Sequence, residues 1–174
     1  SLVPRSSAAE VTETQVWDSM VGVQLNNQGN SYLRLQQMWR RAPGFFDVVC
    51  YTGSGSQSTV VKHNLGVVPE MVWRKKRNSG QDWSVWASAL SGAGNAQAQG
   101  KFGGGIDTAQ YYAGDSNFLS NTPPTATEFT QGALYTSSDT YVAYLFASVD
   151  GISKVGSYAG TGNDLNVDCG FSAG

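Results

Sequence analysis

Thr140-Tyr141-Val142-Ala143-Tyr144-Leu145-Phe146-Ala147-Ser148-Val149 is apolar on both sides of a two-residue period. Val142, Tyr144 and Phe146 fall on one face, and Tyr141, Ala143, Leu145 and Ala147 on the other. A strand with two apolar faces must be covered on both, which predicts a central position in a sheet. Working outward, Met71, Trp73 and Lys75 alternate with Val72, Arg74 and Lys76. Asn78-Ser79-Gly80-Gln81 then supplies a turn, and Trp83-Ser84-Val85-Trp86 runs back, which together read as a β-hairpin. Residues 45–51 form a near-continuous apolar run and predict an interior strand. Gly53-Ser54-Gly55-Ser56 is a loop, and residues 58–63 predict the next strand. Asn64-Leu65-Gly66 is a tight turn in which Gly66 suits positive φ, and Pro69 opens an extended segment.

Further strands are expected over 31–41, before the breaker Ala42-Pro43-Gly44, and over 125–130, leading through Gly132 to Leu134-Tyr135. Tyr111-Tyr112 and Phe118-Leu119 offer short ones. Residues 10–30 are an N-terminal segment, either a short helix or the end of a preceding module. No segment holds helical periodicity over ten residues. Many short strands at about 8–12-residue spacing predict an all-β, mainly antiparallel domain, a β-sandwich or jelly-roll-like fold. The small-residue tract 88–105, with glycines at 103–105, and the stretch 113–125 read as long exposed loops.

Tyr51-Thr52-Gly53-Ser54-Gly55 recurs as Tyr158-Ala159-Gly160-Thr161-Gly162, an offset of 107 residues, and Val48 and Val60 fall on Val155 and Val167. Upstream, Tyr32-Leu33 recurs as Tyr141-Val142 at offset 109. Solenoid repeats run about 20–50 residues, so this period is instead the size of one small β domain of about 100 residues. The β domain is therefore read as 31–174 with an internal repeat at about 48–60 and 155–167.

The chain has 174 residues, enough for one domain with a core. Charged residues make up 14%, against a usual value of about 25%. Polarity comes from Ser, Thr, Asn, Gln and 21 Gly, which suits an extracellular or virion β protein better than a cytosolic enzyme. Residues 1–9 are set aside, because Leu2-Val3-Pro4-Arg5-Ser6 resembles a thrombin-site remnant from an expression vector. No stretch reaches the ~18 apolar residues of a membrane span. Cys50 and Cys169 are not paired by the repeat and are expected to be small buried thiols. Eight of the eleven basic residues lie in 34–77, with only Asp47 and Glu70 as acids there. The charged halves are expected to be solvated faces, and the run 74–77 to guard an edge strand.

The residues argue against known catalytic patterns. His63 is the single histidine, and one His with two distant Cys does not make a zinc site. No nucleophile elbow, Walker loop or dinucleotide fingerprint occurs. A glycosidase needs two carboxylates about 5–9.5 Å apart, and nothing fixes such a pair among Asp107, Asp115, Glu128, Asp139, Asp150, Asp164 and Asp168. No calcium-loop spacing supports a metal at Asp107, Asp115, Asp139 or Asp164. No catalytic residue, cofactor or metal is therefore expected. Nucleic-acid binding by Arg74-Lys75-Lys76-Arg77 is the weaker reading, because the neighbouring Trp residues alternate into a core. Trp83, Trp86, Tyr111 and Tyr112 are candidate contacts for a glycan or receptor, since ring faces stack on sugars.

Several phrases together resemble a repeated module of marine phage (cyanophage) virion structural proteins. They are Arg41-Ala42-Pro43-Gly44-Phe45-Phe46-Asp47-Val48-Val49, Tyr51-Thr52-Gly53, His63-Asn64-Leu65-Gly66-Val67-Val68-Pro69-Glu70 and Asp82-Trp83-Ser84-Val85. Tyr141 to Ala147 and Gly156-Ser157-Tyr158 continue the match. The resemblance implies a tail-fibre-like or capsid-appendage protein on the virion surface, without enzymatic activity. It implies structural turns at Gly53, Gly66 and Pro69 and a core role for Trp83. The expected partners are other virion proteins and a host-surface glycan or protein, with homo-oligomers allowed and neither nucleic acid nor membrane bound. The alternative is a carbohydrate-binding module or a glycan-active enzyme of a β-sandwich class.

Overall fold

The computed structural model describes residues 39–55, 58–81, 83–90, 119, 122–132 and 138–171. The readings of residues 1–9 and 10–30, most of the strand over 31–41, most of the loops 88–105 and 113–125, and Tyr111-Tyr112 lie outside the described residues. Among the described residues six strands form: β1 (Phe46–Thr52), β2 (Ser58–Lys62), β3 (Met71–Lys76), β4 (Ser84–Ala87), β5 (Glu128–Gly132) and β6 (Thr140–Phe146). A 3-10 turn, Ser88–Leu90, follows β4. Among the described residues no helix is long and apolar enough to cross a membrane.

The strands make two antiparallel sheets, one in the order β1-β6-β3-β4 and one pairing β2 with β5. The doubly apolar strand β6 is central, as its sequence requires. Register fixes the two faces of the larger sheet. Val49 pairs with Ala143, Tyr51 with Tyr141, Val72 with Leu145 and with Trp86, and Arg74 with Ala143 and with Ser84. These side chains share the face that meets the smaller sheet. Val61 from β2, Phe129 from β5, Leu65 and Leu119 complete a core with Val72, Trp86, Ala143, Leu145 and Ala147. The fold is an all-β antiparallel sandwich. Burying each Val, Leu or Phe there stabilises it by about 1.5–3 kcal/mol.

Three expectations change. Residues 45–51 form an edge strand among the described residues, because β1 pairs with β6 alone. Its apolar side chains are sheltered by packing across the two faces, with Phe46 buried and Val48 and Val49 half-buried. The basic run does not guard an edge. β3 lies between β6 and β4, Arg74 and Lys75 are buried, and the Lys75 ammonium donates to the Gln81 carbonyl at 2.6 Å. The cysteines are exposed free thiols, since Cys50 points away from the sandwich core on β1 and Cys169 sits in an exposed stretch. The two repeat copies also differ in pairing. Residues 48–60 span β1 and part of β2, whereas residues 155–167 run in no strand and are almost wholly exposed.

Candidate functional site

The second face of the four-stranded sheet carries aromatic rings at alternate positions. Phe46 pairs with Phe146, and Trp73 with Tyr144. Just before β1 the chain folds back sharply. Ala42 N–H donates to the Phe46 carbonyl at 2.9 Å, and Gly44 takes φ 78°, a left-handed value that a side chain would strain. That reversal brings Trp39 over the sheet. Its ring meets Phe46 at 5.6 Å, Phe146 at 5.4 Å with an interplanar angle of 88°, and Trp73 at 6.2 Å. Edge-to-face pairs of this kind contribute about 0.5–1.5 kcal/mol each beyond area burial. Trp39 nevertheless remains 46% exposed. A rigid aromatic body with open ring surface can stack on a sugar or seat an apolar partner group. This platform is the candidate contact site.

Among the described residues, the inward carboxylates of Asp47, Glu70 and Asp139 are each engaged by internal donors. Asp47 accepts from Asn64 N–H at 2.7 Å, Val48 N–H at 2.9 Å and the Arg41 guanidinium at 2.5 Å. Burial alone would raise its pKa, but these donors outweigh burial and hold it below the ordinary carboxylate value. Glu70 accepts from Ser148 through the hydroxyl and through N–H at 3.2 Å, and the same hydroxyl accepts from Val155 N–H at 3.0 Å. Asp139 pairs with Lys76 at 2.7 Å and accepts from the Tyr141 hydroxyl at 3.2 Å. His63 is buried beside the Asp47 turn, with Nδ1 accepting from Leu65 N–H at 3.3 Å. Burial lowers its pKa, an effect only partly offset by the Thr125 main chain and the charges of Asp47 and Glu128. Among the described residues no group of His, Cys, Asp and Glu is placed to hold a metal ion.

Of the sequence-derived contact residues, Trp83 and Trp86 are not brought together on one open face. Trp83 and Trp86 are 3% and 6% exposed, so both are core side chains with no ring face open to a ligand. They point to opposite faces, Trp83 stacking on Tyr144 at 6.2 Å and Trp86 joining the core between the sheets. Tyr111 and Tyr112 lie outside the described residues. Gly66 takes φ 80°, Gly53 N–H donates to the Asp139 carbonyl at 2.8 Å, and Pro69 is fully buried just before β3. Sequence reasoning missed Trp39 as a surface ring and Asp47 as a hub. The available signal for Asp47 was a lone acid inside the apolar run Phe45-Phe46-Asp47-Val48-Val49.

Residues 36–173 match the family described as a domain of unknown function, DUF7483. The chain belongs to the DUF7483 family. That span takes in all six strands, the Trp39 platform and the exposed segment after β6. No curated protein and no solved structure matches this DUF7483 chain.

Proposed function

We propose that this DUF7483 chain is a non-enzymatic module of a phage virion appendage, a tail fibre or a capsid-surface knob, that displays surface loops for host attachment. The observation that carries the reading is the use made of the inward carboxylates. Asp47 ties β1 to the turn at Asn64, Glu70 ties the start of β3 to Ser148, and Asp139 ties β6 to Lys76. Each acid holds one element to another, which is the work of a rigid scaffold. The resemblance to marine phage virion modules and the low charge density point the same way. Many copies on one particle would turn weak single contacts into useful avidity. The test is binding of fluorescent protein to host cells. The expected result is saturable binding that the exposed-acid variants Asp150→Asn, Asp164→Asn and Asp168→Asn keep within about twofold. A single carboxylate variant that abolished a measured hydrolytic activity would overturn the reading.

The Trp39 platform favours a second reading, glycan binding without catalysis. Loss of one stacking ring, worth about 0.5–1.5 kcal/mol, lowers affinity about 2–13-fold. Trp39→Ala is therefore expected to weaken retention on an immobilised host glycan by that factor. Unchanged retention would remove the platform from recognition.

A further inference from the structure

The turn that leads into β1 is built twice. In the first copy Ala42 N–H donates to Phe46 O at 2.9 Å, Phe45 N–H to Ala42 O at 3.1 Å and Phe46 N–H to Ala42 O at 3.0 Å. At the 107-residue offset, Val149 N–H donates to Ser153 O, Ile152 N–H to Val149 O and Ser153 N–H to Val149 O, each at 2.9 Å. Both turns close an isolated antiparallel bridge, Ala42 with Phe46 and Val149 with Ser153. Gly44 at φ 78° falls on Gly151 at φ 71°, and Gly55 at φ 70° falls on Gly162 at φ 77°. The side chains at these turns differ, Pro43 against Asp150 and Phe45 against Ile152, so the agreement is one of backbone architecture.

The two copies part at the next step. The first turn delivers β1 onto β6, where Tyr51 stacks on Tyr141 at 5.4 Å and meets Phe129 edge-on at 5.9 Å. The second delivers residues 154–160 as chain outside any strand, with Tyr158, the counterpart of Tyr51, 72% exposed. Leu165, Val167 and Phe171 beyond it are also exposed, at 44–47%. Apart from Val155 N–H, which donates to the Ser148 hydroxyl at 3.0 Å, the stretch lies outside any strand and carries exposed apolar side chains, which makes it a template for strand addition. What it fits is given by the first copy, an antiparallel strand of the β6 type that offers a ring opposite the tyrosine. β6 of this same module is already flanked by β1 and β3.

We infer that residues 153–162 are the β1 strand and following turn of a second module of the same kind, and that the occupant of the open edge is the β6-type strand of that module, joined in tandem. The segment is thus a site of module-to-module continuation. This inference stands apart from the virion reading and holds wherever the array is displayed.

The test lengthens the chain by one period, joining residues 56–148 after Gly162, since Gly162 corresponds to Gly55. In the lengthened chain the amides of residues 154–159 are expected to exchange with solvent at least about 100-fold more slowly than in the 174-residue protein. Tyr158→Ala is expected to lower the melting temperature of the added module and leave that of the first unchanged. A second measurement reads pairing even if the added module is marginal. With Cys50→Ser, Ser157→Cys is expected to cross-link through a short bismaleimide to Val142→Cys of the added copy, matching the Cys50–Val142 register of the first. Exchange of residues 154–159 at the rate seen in the 174-residue protein, with no cross-link, would overturn the proposal. So would a cross-link only between separate molecules, which would mean exchange of strands between chains.

Discussion

Asp47 shows how one side chain holds two elements in this fold. It is the second residue of β1, it is 2% exposed, and its carboxylate takes three donors from Arg41, Val48 and Asn64. Asp47→Ala would strand two main-chain N–H groups and one guanidinium, a loss of about 2–3 kcal/mol by chemical denaturation. Loss below about 0.5 kcal/mol would mean that water replaces the carboxylate freely. The sign of the pH dependence follows from the direction of two shifts. Asp47 has a folded pKa below its unfolded value of 3.8, so its contribution is complete above that value and fades as pH falls through the folded one. His63 also has a lowered folded pKa, so below its unfolded value of 6.5 the unfolded chain takes up a proton that the folded chain refuses. Stability therefore falls from about pH 6.5 downward in two stages, histidine first. In His63→Gln the upper stage is expected to vanish and the lower to remain, which denaturation midpoints across pH 3–8 would show.

The strands differ in how far their sequence announces them. β6 and the β3–β4 hairpin are legible because alternation and turn chemistry agree, and the Val72–Trp86 register is what that pattern demands. The environments of Lys75 and Trp83 are not legible. A lysine or tryptophan on a strand reads the same whether its face is covered or open, and the ammonium finds the Gln81 carbonyl only through the folded hairpin. The edge position of β1 is hidden for the same reason, since an apolar run does not say on which side its partners stand. The position of Cys50 on that strand gives a direct check. Both thiols are expected to react with a chromogenic disulfide reagent in the native protein within minutes, at a count of two per chain. One slow thiol would contradict the outward placement of its segment. At the turn before β3, Gly66 at φ 80° has open space around it, so a substitution meets backbone strain alone. Gly66→Ala is expected to cost about 1–2 kcal/mol and Gly66→Asn clearly less, because Asn tolerates the left-handed region. Equal losses in the two variants would place the cost elsewhere.

Over its described residues the molecule is a small sandwich with an aromatic platform at Trp39 and a second copy of the strand-leading turn after β6. Rigidity and repetition suit reach and display, and the inward acids serve that rigidity. Under the proposed appendage reading, the assembled state separates its two forms. A stable trimer by light scattering favours a fibre, in which three chains share an axis, and a monomer favours a capsid knob. The proposal that this chain belongs on a phage particle is put to the test by immunogold electron microscopy. Antibody raised against residues 39–171 is applied to intact particles of a phage whose genome carries this sequence. Gold is expected on the tail appendages or the capsid surface of intact particles. Bare particles, with the protein found only in the lysate of infected cells, would contradict it.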